Sequence, residues 1–167
     1  EQNSNIKVQK IIDENPGKLE ESDTEIDTYY INSIEDLVFF AYDVSENGNT
    51  YAGKKVKLNT DLDFNSNKSY VEPYRTDYGK YGYDGELKTK LTTGEGFISI
   101  GRPYAIEGTQ NINYSFNGEF DGQSHTIYNI YINRKNEDKY TYQSYGLFSE
   151  VYNGKIINLN VHGNINF

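Results

Sequence analysis

Ile127-Tyr128-Asn129-Ile130-Tyr131-Ile132 returns 29 residues later as Ile156-Ile157-Asn158-Leu159-Asn160-Val161, and both fit the pattern I-x-N-[I/L]-x-[I/V]. This offset is typical of stacked structural repeats. In a parallel solenoid, equivalent residues stack about 4.8 Å apart, so Asn129 is expected to lie near Asn158 with their amides bonded along the stack. An antiparallel sandwich gives no reason for such a recurrence, and the pattern therefore favours a parallel solenoid.

A longer motif surrounds the first copy. Phe116-Asn117-Gly118-Glu119-Phe120-Asp121-Gly122-Gln123-Ser124-His125-Thr126-Ile127-Tyr128-Asn129-Ile130 resembles the F-x-G-x-F-D-G-x-x-H-T-I-x-N-[L/I] signature of GLUG-type bacterial surface proteins. Tyr145-Gly146-Leu147-Phe148 with Gly154-Lys155-Ile156-Ile157-Asn158-Leu159 resembles their G-L-F-G…G-x-I-x-N-L repeat, although Ser149 stands where glycine is usual. The resemblance covers residues 29–167. It implies a right-handed parallel β-helix in an exported, adhesin-like bacterial protein, and it implies no chemistry.

Composition limits the classes of partner. The chain has 167 residues, a formal net charge of −9, 17 Tyr, 8 Phe and no Cys. Its acidity argues against nucleic acid and against anionic membranes, and apolar runs such as Leu37 to Ala41 are too short to span a bilayer. The abundance of aromatic residues favours an all-β fold. No cofactor is expected.

Three segments are predicted along the chain. Residues 1–28 are polar and form a tether or a loosely docked edge segment. Residues 29–167 form the N-terminal part of a β-helix domain, interrupted by an insertion at 65–96. Because the sequence starts at Glu1 and not at Met, a signal peptide is expected to have been removed. The predicted location is therefore extracellular, either secreted or on the bacterial cell surface.

One helix is predicted near the start of the domain. Ser33 is a suitable N-cap, and acids follow it in the first turn, where they suit the helix dipole. Apolar residues then recur at three- and four-residue spacing from Ile34 to Ala41. The helix, at 33–46, is expected to cover the N-terminal end of the β-helix.

Short strands are predicted elsewhere from period-two alternation and glycine punctuation. They are Lys54 to Asn59, Asp61 to Phe64, Phe97 to Ile100, Phe116 to Phe120, Thr126 to Ile132, Gly146 to Val151 and Lys155 to Val161. No capping signal follows at Asn164 to Phe167. The last coil is therefore expected to be open, which leads to two expectations: a longer native protein, or self-association through that coil.

The most distinctive polar cluster is Asp121, Gly122 and His125. An acid/base pair is one interpretation. A tight corner, with Asp-Gly as its turn signal, is the interpretation that the sequence favours. His125 and His162 are too few for a zinc site.

Asp61 and Asp63 alternate on one strand face and could join Asp43 or Glu46 in a calcium site, but the sequence contains no EF-hand loop and no glycine-aspartate nonapeptide repeat. A solvated face is favoured, so no metal site is predicted.

Tyrosines of the insertion are the weak candidates for ligand binding. Exposed aromatic rings stack on sugars and also suit protein interfaces; the alternative is a flap folded over the first coils. The candidates are Tyr70, Tyr74, Tyr78, Tyr81 and Tyr83.

The expected function is a non-catalytic surface module, adhesin-like, with a glycan or a host or cell-surface protein as partner. The alternative is the N-terminal part of a polysaccharide lyase-like enzyme with its site elsewhere. Polysaccharide lyase chemistry requires basic residues on adjacent coils of a groove. The sequence offers only scattered ones, at Arg75, Arg102, Arg134 and Lys135.

Overall fold

The computed structural model describes residues 20–21, 27–64, 97, 99–102, 111–133 and 144–166. Its elements are β1 (Glu20–Glu21), β2 (Thr28–Ile31), α1 (Ile34–Ser45), β3 (Lys55–Leu58), β4 (Leu62–Asp63), a 3₁₀ helix (Asn111–Tyr114), β5 (Glu119–Asp121), β6 (Thr126–Asn133), β7 (Lys155–Ile157) and β8 (Asn160–Asn166).

The strands form two sheets. The first has the order β1-β2-β3-β5-β7 and the second the order β4-β6-β8. Neighbouring strands are parallel, except that β1 is antiparallel to β2. The chain passes directly from the first sheet to the second at β3–β4, β5–β6 and β7–β8, and each of these strand pairs is called a coil below. The classification as a right-handed parallel β-helix stays a prediction.

Equivalent positions of the three coils lie in register. In the first sheet Phe120 pairs with Val56 on one side and with Ile156 on the other. In the second sheet Ile127 lies in the same way between Leu62 and Val161. Parallel bridges also join Ile100 to Phe148 and Phe116 to Val151, outside the strands. Backbone pairing therefore joins neighbouring coils within the two sheets and also at these bridges outside them.

The predicted helix is confirmed, with Ser33 as its N-cap. The Ser33 hydroxyl accepts the backbone N–H of Asp36 at 3.2 Å, and Asp36 Oδ2 accepts the backbone N–H of Asn32 at 2.8 Å. The first of these bonds satisfies a backbone donor that a helix start leaves free, and the second fixes the residue before the N-cap. The helix ends at Ser45, before Gly48 at a φ of +72°.

An aromatic cluster joins the helix to the coils. The ring of Phe40 in α1 lies 5.5 Å from that of Phe116 and 5.9 Å from that of Phe120. Phe148 contacts the same two rings at 5.7 Å and 5.3 Å. Phe40, Phe116 and Phe120 are fully buried. Burial of these large rings contributes hydrophobic stabilisation to the described core.

The predicted 29-residue register between Ile127 and Ile156 is wrong. Ile127 pairs with Val161, whereas Ile156 pairs with Phe120. The expected strand from Lys155 to Val161 is divided into β7 and β8, because Asn158 between them has a φ of +53°. Asn129 has a φ of +57° and lies where the pairing of β6 with β8 shifts register. Asparagine tolerates this left-handed conformation, so the repeated motif reflects a shared local backbone and not a shared level in the stack.

Two other predicted strands are shorter than expected. Around Phe97 to Ile100 and Gly146 to Val151, the described residues form isolated bridges at Ile100, Phe148 and Val151. Within the predicted segment 1–28, Glu20–Glu21 pairs with Tyr29 and Tyr30 as an edge strand. The insertion at 65–96 lies outside the described residues.

Candidate functional site

The tyrosines predicted to bind a ligand, Tyr70, Tyr74, Tyr78, Tyr81 and Tyr83, lie outside the described residues. The candidate site is therefore built from the polar side chains of the described coils. These occur at the corner between the two sheets and on the outward side of the second sheet.

Asp121 and Gly122 form a corner between β5 and β6. Asp121 Oδ1 accepts the backbone N–H of Gln123 at 2.9 Å and the side-chain amide of Asn158 at 3.1 Å. A Cβ atom on Gly122 would lie 2.6 Å from the carbonyl oxygen of Asn158. Glycine is thus required here by the close approach of the next coil. Asp121 ties adjacent coils together through Asn158.

His125 bonds Asp61 and not Asp121. Its Nδ1 atom lies 3.1 Å from Asp61 Oδ1, which also accepts the backbone N–H of Thr126 at 2.8 Å. The pKa of Asp61 is lowered from its ordinary value, chiefly by that backbone hydrogen bond and further by His125. The acid/base pair considered from the sequence, Asp121 with His125, is therefore not the pair that the fold brings together.

A pH dependence of stability follows for Asp61. The pKa of Asp61 is lower in the folded state than in the unfolded state, where it is about 3.9. Its ionised form therefore stabilises the fold fully at pH values above the unfolded-state pKa, and this stabilisation is lost as pH falls through the folded-state pKa. We expect Asp61→Asn to lower the unfolding midpoint near neutral pH, and this difference from the wild type to shrink as pH falls through the lowered folded-state pKa of Asp61. Thermal unfolding at neutral pH and over a series of acidic pH values measures it.

Asp27→Asn is the matched control, because Asp27 is also exposed and the change removes the same charge. A difference between wild type and Asp61→Asn that persisted unchanged in acid would contradict the linkage.

The outer face is defined here as Asp63, Tyr128, Asn129, Tyr131 and His162 of the second sheet. Its residues alternate with the buried positions Ile127, Ile130 and Ile132 of β6, so they lie on the opposite, outward side. Tyr128 is 36% exposed, and Asn129 and His162 are exposed.

Side chains on the outer face contact one another across strands. Asp63 Oδ1 accepts the side-chain amide of Asn129 at 2.8 Å. The rings of Tyr128 and His162 meet edge to face, with centroids 5.5 Å apart and an interplanar angle of 79°. The face thus combines an exposed aromatic ring with carboxylate, amide and imidazole groups. Sequence reasoning missed it, although the alternation of Tyr128 and Tyr131 with isoleucines was visible.

Asn129 and Asn158 do not stack on each other as predicted. Asn129 bonds Asp63 and Asn158 bonds Asp121, in each case a carboxylate one coil earlier. The polar stack therefore consists of amide–carboxylate pairs and not of an amide ladder.

Asp43 belongs to a separate, buried cluster. Its carboxylate accepts hydrogen bonds from Asn47 at 3.0 Å, Asn49 at 2.8 Å and the hydroxyl of Tyr51 at 2.8 Å. Burial and the neighbouring carboxylate raise the pKa of Tyr51. Within the described ranges no group of three or more acidic, histidine or cysteine side chains is placed to hold a metal ion.

Arg102 is the one basic residue of the proposed lyase set that lies among the described residues. It is 2% exposed, and its guanidinium carbon lies 3.3 Å from the ring centroid of Tyr114. The guanidinium is therefore stacked inside the protein. Arg75, Arg134 and Lys135 lie outside the described residues.

In the part of the chain that the structure describes, no helix has both the length and the apolar character needed to cross a membrane. Comparison of the chain with protein-family models, with curated proteins and with solved structures finds no match.

Proposed function

We propose that this chain is a non-catalytic, adhesin-like module of a right-handed parallel β-helix, secreted or displayed on a bacterial cell surface, and that it binds glycans. The parallel coils stacked in register support the fold part of the proposal. The motif at residues 116–130 supports the surface location by its resemblance to GLUG-type proteins.

The observation that carries glycan binding is the composition of the outer face. Tyr128 offers an exposed ring, and sugars present apolar C–H faces that pack on such rings. The carboxylate of Asp63 and the amide of Asn129 lie beside it, held by their mutual hydrogen bond. Pre-positioned acceptors and donors of this kind bond sugar hydroxyls at low entropic cost.

Charge indicates which glycans the face accepts. The chain has a net charge of −9, and the corner next to the outer face carries the exposed carboxylate of Asp61. Sulfated or uronic-acid chains would be repelled. The expected ligands are neutral oligosaccharides.

The test is a glycan array followed by calorimetric titration with the neutral oligosaccharide that binds best. Tyr128→Ala is expected to weaken binding about tenfold, or about 1.4 kcal/mol, because it removes the stacking surface. Tyr152→Ala is the matched control, since Tyr152 is equally an exposed tyrosine, 46% accessible, outside the outer face. It should bind like the wild type.

A third variant separates the outer face from the insertion. Tyr74→Ala combined with Tyr81→Ala should retain binding if the outer face is the site. Loss of binding in that double variant, with Tyr128→Ala unaffected, would move the site to the insertion. Absence of binding by the wild type to every glycan would refute the proposal.

A further inference from the structure

The buried pair of Tyr51 and Asp43 has no part in the proposed glycan site, and its geometry suits a proton-coupled reaction. The Tyr51 hydroxyl donates to Asp43 Oδ2 at 2.8 Å, and both residues are only 2% exposed. The same carboxylate accepts the side-chain amides of Asn47 at 3.0 Å and Asn49 at 2.8 Å. A phenol is thus held against a fixed carboxylate, and the path of the phenolic proton is defined.

The amino-acid composition makes tyrosine the most readily oxidised residue type of this protein. Cysteine, methionine and tryptophan, which compete for one-electron oxidants, are all absent, whereas 17 tyrosines are present. Loss of one electron turns a phenol into a strong acid, so oxidation at neutral pH requires a base that takes the phenolic proton. A tyrosine whose hydroxyl already donates to a carboxylate therefore has an advantage over one that must release its proton to water.

Charge favours the oxidation of Tyr51 further. Before the reaction the pair carries the negative charge of Asp43, and a buried charge is costly. After an electron has left and the proton has moved within the pair, both groups are neutral. Burial and the same carboxylate raise the pKa of Tyr51, so the phenol keeps its proton until it is oxidised.

The neighbouring Tyr29 has the opposite electrostatic environment. Its ring centroid lies 5.6 Å from that of Tyr51, at an interplanar angle of 89°. Its hydroxyl accepts a hydrogen bond from Lys54 Nζ at 3.0 Å, and that cation lies 5.0 Å from the ring centroid. A nearby positive charge opposes the loss of an electron. Tyr29 is half-buried, so its ring offers the electron a short path towards the surface, while the oxidised state is more stable on Tyr51.

We propose that Tyr51 is a redox-active tyrosine whose proton acceptor is Asp43. One electron passes from Tyr51 to a high-potential metal complex in solution, which is reduced by one electron. The Tyr51 O–H bond breaks, and its proton moves along the existing hydrogen bond to Asp43 Oδ2, where a new O–H bond forms. The products are a neutral tyrosyl radical and a neutral carboxylic acid. Return of one electron from a one-electron reductant reverses both transfers.

The test is flash oxidation of the full chain with photogenerated tris(bipyridyl)ruthenium(III), with tyrosyl radicals followed by transient absorption and by electron paramagnetic resonance. The wild type is expected to form a long-lived radical, because burial keeps the Tyr51 ring from coupling with a tyrosine of another molecule. Tyr51→Phe should lower this long-lived population at least about tenfold. Tyr152→Phe is the matched control, since it removes an exposed tyrosine by the same change, and it should leave the population unchanged.

Two further measurements test Asp43 as the proton acceptor. In the wild type the proton goes to Asp43 and not to a buffer base, so the rate at which the long-lived radical forms should not depend on phosphate concentration. In Asp43→Asn the amide oxygen still accepts a hydrogen bond but does not take up the proton, so the long-lived population should fall at least about tenfold. Thermal unfolding shows whether each variant is folded.

The outcomes separate the two parts of the proposal. A wild type without a long-lived radical overturns it, and so does a long-lived radical that persists in Tyr51→Phe. A rate of radical formation in the wild type that rises with phosphate concentration overturns Asp43 as the acceptor, whether or not Asp43→Asn folds.

Discussion

Replacing Phe120 with alanine is expected to lower the free energy of unfolding by about 4 kcal/mol. Phe120 is fully buried, with the ring of Phe148 at 5.3 Å and that of Phe40 at 5.9 Å. Its loss removes apolar contacts with both the helix and the next coil, and it leaves a cavity that β-strands on either side cannot close. Urea denaturation followed by circular dichroism measures the loss.

Tyr152→Ala provides the comparison for this core substitution. It also removes an aromatic ring, but from a side chain that is 46% exposed. Its cost is expected to stay below about 1 kcal/mol, as for most surface changes. If Phe120→Ala cost no more than Tyr152→Ala, the aromatic cluster would not be the core of the fold.

The second large effect is expected at Asp43. Replacing it with alanine should cost about 3 kcal/mol, since this 2%-exposed carboxylate receives the Tyr51 hydroxyl and the amides of Asn47 and Asn49. Removal leaves the buried Tyr51 hydroxyl without its acceptor, and a stranded buried donor is costly. Denaturant unfolding of Asp43→Ala gives the value.

A double-mutant cycle shows whether the pair is responsible. Tyr51→Phe alone is expected to cost about 1 kcal/mol. Tyr51→Phe added to Asp43→Ala should cost less than the sum of the two, because the stranded hydroxyl is then absent. Strict additivity of the two losses would show that the hydrogen bond between them contributes nothing.

Local features were predictable from the sequence, and non-local ones were not. The helix was correct because its signals lie within one turn of each other, from Ser33 to the apolar spacing that follows. The predicted 29-residue register was wrong because the repeated motif reflects the left-handed backbone that Asn129 and Asn158 share. A local motif of this kind does not specify which strand lies beside it. His125 contacts Asp61, which lies 64 residues earlier in the sequence. No sequence-spacing rule predicts a contact between two residues that far apart.

The candidate surface was only partly visible in the sequence. Alternation in β6 places Tyr128 and Tyr131 opposite the buried isoleucines, which sequence alone can give. The contacts with Asp63 and His162 depend on which strands become neighbours. By contrast, Asn47, Asn49 and Tyr51 follow Asp43 closely along the chain, so the buried cluster could have been anticipated in place of a shared calcium site.

The unequal sequence separation between coils has a consequence for folding kinetics. Glu119 on the second coil and Lys155 on the third are hydrogen-bonded and 36 residues apart. Asn59 on the first coil and Gln123 on the second are also hydrogen-bonded, but they are 64 residues apart. Closing the longer loop costs about 0.5 kcal/mol more in chain entropy, and distant contacts slow the search for the native topology. The nucleus is therefore expected to form from β5 to β8. The coil of β3 and β4 then docks onto this template in a later step.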